Sequence, residues 1–214
     1  MNEPHEHLQT LTEIRGLMER STKFLSLSGL SGVSAGLAAL AGAFVAYTRF
    51  RWMPLMEAVR LGESPYGLVQ PDSRWVLVGI ATAVLLAALA SGYYFTVRRA
   101  RRQGLSIRSA SSERLLRVML VPLATGGIFC LGLVYYNLIW LAFPATLIFY
   151  GLALTSGSRY TLGDVESLGY CEIALGLLTL FWPSFSLLAW ALGFGVLHIL
   201  YGLAMYVKYE RNTA

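Results

Sequence analysis

Charge is scarce in this chain. Asp, Glu, Lys and Arg make up 14% of its 214 residues, where a water-soluble domain carries about 25%. So few charges leave too little polar surface to meet water, which argues against an ordinary soluble fold. Cysteine is almost missing. Cys130 and Cys171 both fall inside apolar runs, and neither belongs to a CxxC pair or a Cys/His cluster. A disulfide framework and a zinc site are therefore not expected, and the two thiols read as small buried hydrophobes. Histidine is limited to His5, His7 and His198. A haem clamped between helices would need two axial ligands, and the apolar part offers one. No HExxH or P-loop occurs, the one GxSxG string (Gly32–Gly36) falls in an apolar run and not at a strand-to-helix elbow, and the many glycines lie in apolar runs rather than in a phosphate-binding turn. This shortage of catalytic groups points away from an enzyme, with no metal and no cofactor expected. The net charge of +5 does not suggest nucleic acid, because no basic stretch is interleaved with aromatics as a single-strand groove requires.

What the chain has instead is greasy length. Apolar residues reach 56% and mean hydropathy is +0.56, a composition for which hydrocarbon is the natural solvent. The expected fold is all-α: a polytopic integral membrane protein of about six transmembrane helices, near 24–48, 75–97, 115–136, 138–156, 166–181 and 185–207. A cytoplasmic N-terminal segment, 1–23, precedes them and a cytoplasmic tail, 208–214, follows. In the N-terminal segment Leu8, Leu11, Ile14 and Met18 make a helical apolar stripe, which suggests an amphipathic helix on the membrane surface or against a partner. The first apolar run reads as a retained helix rather than a removed leader. Residues 49–74 form a long loop, in which 53–61 is a candidate interfacial helix. Between Leu115 and Leu154 the only charge is Arg117. Forty residues of helix would measure about 60 Å, twice the hydrocarbon thickness, so a hairpin turn is expected, at Tyr135–Asn137. Pro144 then falls early in the fourth helix, where it can kink the rod.

The basic residues set the orientation. Six spans put thirteen of the 17 Lys and Arg residues on the side of both termini and four (Arg49, Arg51, Arg60, Arg74) on the other. By the positive-inside rule the first side is cytoplasmic, which implies a multi-pass protein of the cell (inner) membrane. The densest basic stretch, with Arg98, Arg99, Arg101, Arg102 and Arg108, is a candidate contact for anionic lipid or a cytoplasmic protein.

Small residues mark close helix contacts. In the first helix Ser28, Gly32 and Gly36 repeat every four residues, a pattern for packing within the chain or for a homo-oligomer through Gly32 and Gly36. The fourth and sixth helices end alike, Phe149–Leu154 (FYGLAL) and Leu200–Met205 (LYGLAM), which raises a tandem hairpin duplication as an open alternative to chance similarity.

Two ionisable groups fall at membrane depth, where each is expensive, about 2.5–3.5 kcal/mol for Asp, Lys or Arg. Glu172 and His198 are equidistant from a turn near residue 185. Each has a glycine three residues before it and another four after it (Gly169 and Gly176; Gly195 and Gly202). Antiparallel pairing of the last two helices predicts Gly169 opposite Gly202, Gly176 opposite Gly195, and Glu172 against His198. Such a pair is either interhelical glue or a ligand-binding or proton-coupled site, since glutamate and histidine in low dielectric can trade a proton. Tyr170, Tyr201 and Tyr150 are candidates to line the same region. The function expected is binding, sensing or transport of a small solute or lipid. The alternative is a structural or assembly protein that docks a partner through its basic loop.

Overall fold

The structure is a computed structural model that describes residues 28–50, 71–104, 110–136, 138–161 and 163–211. The expected surface helix in 1–23, the candidate helix in 53–61 and Arg108 lie outside the described residues. Among the described residues there are six helices and no strand. They are α1 (Gly29–Phe50), α2 (Pro71–Arg102), α3 (Ala110–Tyr135), α4 (Ile139–Gly157), α5 (Asp164–Phe181) and a composite α6 (Pro183–Tyr209). The last begins with a 3₁₀ turn, Pro183–Phe185. It continues as α-helix over Ser186–Trp190, π-helix over Ala191–Leu197 and α-helix over His198–Tyr209.

Five of the six are long and apolar enough to cross a membrane. The exception is α5, which has 18 residues and carries Asp164 and Glu166 in its first turn and Glu172 in its middle. At 1.5 Å per residue it measures about 27 Å, just under a hydrocarbon core of about 30 Å.

Several helix ends differ from the expected ones. The segment Arg98–Arg102 is the last turn and a half of α2 and not part of a loop. Arginine is a good helix former, and cations suit the negative end of a helix dipole. The helix stops where Gly104 turns to φ +64°, the left-handed conformation that glycine adopts without a Cβ penalty. At its start, α3 gains a turn (Ala110–Arg114) with Glu113 at its positive end. The hairpin between α3 and α4 turns at Tyr136, as expected, closed by Leu138 N–H donating to the Leu133 carbonyl at 2.7 Å.

The helices pack as two sets. In one, α1 lies between α2 and α6; in the other, α4 lies between α3 and α5. The first half of α6 rests on α4 and joins the sets. The outer helices, α2 and α3, bury 6% and 11% of their apolar windows, against 39% for α4. Their outward faces show Leu85, Leu89, Tyr93, Leu120, Ile128 and Leu131. An apolar exterior of this extent is compatible with a membrane setting.

Glycines set the two closest seams. A Cβ on Gly151 of α4 would lie 2.6 Å from the Gly169 carbonyl oxygen and 2.7 Å from the Ile173 side chain of α5. A Cβ on Gly36 of α1 would lie 2.6 Å from the Gly195 carbonyl oxygen and 2.7 Å from the Ile199 side chain of α6. The two seams are thus built alike: a glycine sits against a carbonyl and the isoleucine four residues on. Backbones at this distance are held by dispersion, the main attraction between helices where no water is displaced.

This arrangement corrects the expected glycine pairing. Gly169 faces Gly151 and Thr155, and Gly176 faces Pro144 and Ile148, all on α4. Gly195 faces Leu40 and Gly202 faces Gly29 and Val33, all on α1. The spacing marks a smooth helix face correctly but does not say which neighbour fills it. Gly32 and Gly36 likewise pack against α6 of the same chain, so this stripe is already covered.

Candidate functional site

Between the two sets of helices lies a short line of polar groups. Glu172 projects from the inner face of α5, which it shares with Val165, Leu168, Gly169, Gly176 and Thr179. Its side chain is 0% exposed. His198, on α6, is 6% exposed, and its Nδ1 lies 3.4 Å from Glu172 Oε1. So the two residues do meet, although their glycines do not pair. The meeting is arranged largely by third helices: α4 seats α5 and α1 seats α6, and the two polar side chains meet where α5 and α6 approach each other.

The imidazole is held on both sides. Nδ1 is 3.0 Å from the Gly193 carbonyl oxygen, and Nε2 is 2.9 Å from the Tyr150 hydroxyl of α4. A neutral ring with its proton on Nδ1 satisfies both contacts, donating to Gly193 and accepting from Tyr150. Phe194 stacks on the ring at 5.8 Å between centroids and 24° between planes, and it also contacts Tyr150 at 5.0 Å.

The carboxylate has no such support. Both Glu172 oxygens are buried without a hydrogen-bond partner, since 3.4 Å is beyond ordinary N–H···O range. Its surroundings are apolar and tight. A Cβ on Gly193 would fall 2.4 Å from Oε2 and 2.6 Å from Leu147, so the carboxylate fits only because residue 193 has no side chain. A buried charged or polar group left in this way costs free energy that packing elsewhere must supply.

Gly193 and Phe194 were not found by the sequence reading. Both lie in the π segment Ala191–Leu197. Such segments often occur at functional positions, because wider winding re-aims backbone and side chains. Here the His198 side chain reaches back five residues, one π interval, to the Gly193 carbonyl. The only signal in the sequence was the pair of glycines two apart, Gly193 and Gly195, where a single seam needs one.

The other candidates lie elsewhere. Tyr170 is 58% exposed and donates to Glu166 at 3.0 Å, on the outer flank of α5. Tyr201 packs against the cluster of Leu154, Val165, Leu168 and Met205, with its hydroxyl toward Cys171 and Ser167. Of the three tyrosines, Tyr150 is the one hydrogen-bonded to the pair, through His198. Cys171 is exposed and Cys130 half-buried, so the expectation of two buried thiols fails for Cys171, which lies off the inner face of α5. Among the described residues, His, Cys, Asp and Glu are not gathered in the threes a metal ion needs.

The arginines divide. Arg98, Arg101 and Arg102 are exposed at the end of α2, whereas Arg99 is buried and pairs with Glu210 at 3.3 Å. The same Glu210 carboxylate accepts from the Gly29 N–H and from Ser28 Oγ at the start of α1. This cluster ties together the ends of α1, α2 and α6.

The chain matches no family model, no curated protein and no solved structure. Its function has to be argued from the site.

Proposed function

We propose that the chain is a multi-pass protein of the cell membrane, with both termini cytoplasmic, that binds, senses or transports a small solute or lipid through the polar site between α5 and α6. Glu172 and His198 are the responding groups in this reading, and Tyr150 is joined to them. One observation carries it: Glu172 is wholly buried with both oxygens unpartnered. Ionisable groups at such depth are expensive and mark ligand or ion paths in membrane bundles. The orientation is supported by the thirteen-to-four division of basic residues, and it requires α5 to be inserted with the rest.

The test uses purified protein in lipid nanodiscs, screened for thermal stabilisation by a panel of small amines, organic anions and phospholipids, in parallel with Glu172→Gln and His198→Ala. Stabilisation by a panel member that vanishes in both variants is the expected result. A response retained in both, with only a lowered melting temperature, would mean that the pair is glue.

A second reading has an observation of its own. Arg98, Arg101 and Arg102 stand exposed on the last turn of a 32-residue helix. That helix is about 48 Å long, enough to carry its end to the level of lipid headgroups. On this reading the protein is a scaffold that docks anionic lipid or a cytoplasmic partner. Reversing the three charges should then release the anionic lipid or partner while the bundle stays folded.

A further inference from the structure

Tyr150, His198 and Glu172 stand in series, and they differ in their access to the outside. Glu172 is fully enclosed and His198 nearly so, whereas Tyr150 is half-buried. Its hydroxyl meets Nε2 of the imidazole, and Nδ1 faces the carboxylate. The imidazole therefore bridges an enclosed acid and the hydroxyl of a half-buried tyrosine.

The space around the carboxylate limits what it can receive. Gly193 and Leu147 close on it, and Leu147 is itself 0% exposed. A metal cation would need several oxygen ligands and room for them, and an organic cation more room still. The Gly193 carbonyl oxygen already faces Nδ1. A proton needs neither room nor additional ligands.

We propose that these three residues are a proton relay, and that the ligand of the enclosed Glu172 carboxylate is a proton delivered through Tyr150 and His198. The proposal rests on the reading of this site as functional and supplies its ligand class. In the starting state Glu172 is ionised, and His198 is neutral with its proton on Nδ1 and its Nε2 lone pair on the Tyr150 hydroxyl. A hydronium ion that reaches Tyr150 gives a proton to the phenol oxygen as the phenol's own proton passes to Nε2. The Glu172 carboxylate closes the 3.4 Å gap to Nδ1, and Nδ1, turning from the Gly193 carbonyl, releases its proton to Oε1. Three bonds to hydrogen form and three break, no electrons are exchanged, and hydronium becomes water. The imidazole ends as its other tautomer, with Nε2–H donating to the phenol oxygen, and the site changes from one negative charge to none. Release runs the same steps backwards.

Among the described residues no other ionisable group competes at close range. α4 presents Tyr150 and α6 presents His198. Between Gly29 and Ala46, α1 has no ionisable residue, and neither has the π segment. On α5 itself Tyr170 and Cys171 lie on exposed flanks, while Asp164 and Glu166 stand at the helix start, roughly 9–12 Å along the axis. On α6, Tyr201 turns toward Cys171 and Ser167, and Lys208 bonds to Asp164.

The experiment is infrared difference spectroscopy of the full chain in lipid nanodiscs after pH steps between about 5 and 8, the range in which histidine chemistry operates. The probe is the proton itself. A carbonyl-stretch band of a protonated carboxylic acid should grow as pH falls and be missing in Glu172→Gln. In Tyr150→Phe, which keeps the ring against Phe194, the band should reach the same intensity but rise at least about tenfold more slowly after a pH jump, because the transferring hydroxyl is gone. A band of unchanged intensity in Glu172→Gln, or a wild-type rate in Tyr150→Phe, overturns the relay. If both results hold and no solute stabilises the protein, the relay stands and solute handling falls. If a solute effect is lost in Glu172→Gln but no acid band moves, the relay falls and solute handling stands.

Discussion

Glu210 and Glu172 both place a carboxylate inside the fold, Glu210 where three helices end and Glu172 in their midst. Glu210 is supplied with donors: the Gly29 N–H at the positive end of α1, the Ser28 hydroxyl and the Arg99 guanidinium. Glu172 has an imidazole at 3.4 Å that is engaged elsewhere and no hydrogen-bond partner of its own. The first arrangement is how a fold uses a buried acid for stability: capping, charge pairing and hydrogen bonding coincide. The second is a cost kept in place, and a cost at a position that Leu or Met would fill freely suggests a purpose other than stability.

Removal of each acid separates the two most sharply. Glu210→Ala removes the carboxylate that pairs with Arg99, whose side chain is 9% exposed, and takes the acceptor from the start of α1. Breaking such a buried pair costs about 3–5 kcal/mol, so the variant should unfold at markedly lower denaturant in mixed micelles. Glu172→Met should do the opposite. It fills nearly the same volume without an unpartnered carboxylate, and apolar replacement of buried ionic groups often gains about 1–4 kcal/mol. A Glu172→Met protein less stable than the parent would show that Glu172 is a structural acid like Glu210, and the contrast would be lost.

How far the sequence showed all this depends on the kind of contact. Helices were legible because hydrocarbon-length apolar runs have few other ways to satisfy their backbone; length required a hairpin between Leu115 and Leu154, and the polar tips of Tyr135 and Tyr136 placed it. Glu172 and His198 were legible because ionisable groups are rare in such runs. Their partners were less so. Gly169 and Gly202 have the spacing of a seam, but spacing says nothing of which helix arrives, and here it was α4 for one and α1 for the other. The π segment was illegible, since a one-residue change in winding leaves only a faint trace in the pattern, the extra glycine at 193. Arg99 was grouped with its exposed neighbours because its partner lies 111 residues away, a pairing that local charge pattern does not encode.

The glycines give the smallest effects and the finest comparison. Gly151 and Gly36 occupy equivalent places in the two seams, and an added Cβ at either meets backbone that cannot swing aside. Overpacking of this kind costs about 1–3 kcal/mol, so Gly151→Ala and Gly36→Ala should lower stability by similar amounts in the same micelle assay. Gly79 on α2 has nothing within 4 Å of the corresponding position. There an alanine meets only solvent or lipid and gains helix propensity, about 0.5–1 kcal/mol. A Gly79→Ala variant that lost stability would mean that the outward face of α2 is packed against something in the membrane. If only one of the two seam variants proved costly, the polar line would join a rigid set of helices to a yielding one. Equal costs are expected, because the two added Cβ atoms meet the same obstacles at the same distances, a carbonyl oxygen and an isoleucine side chain.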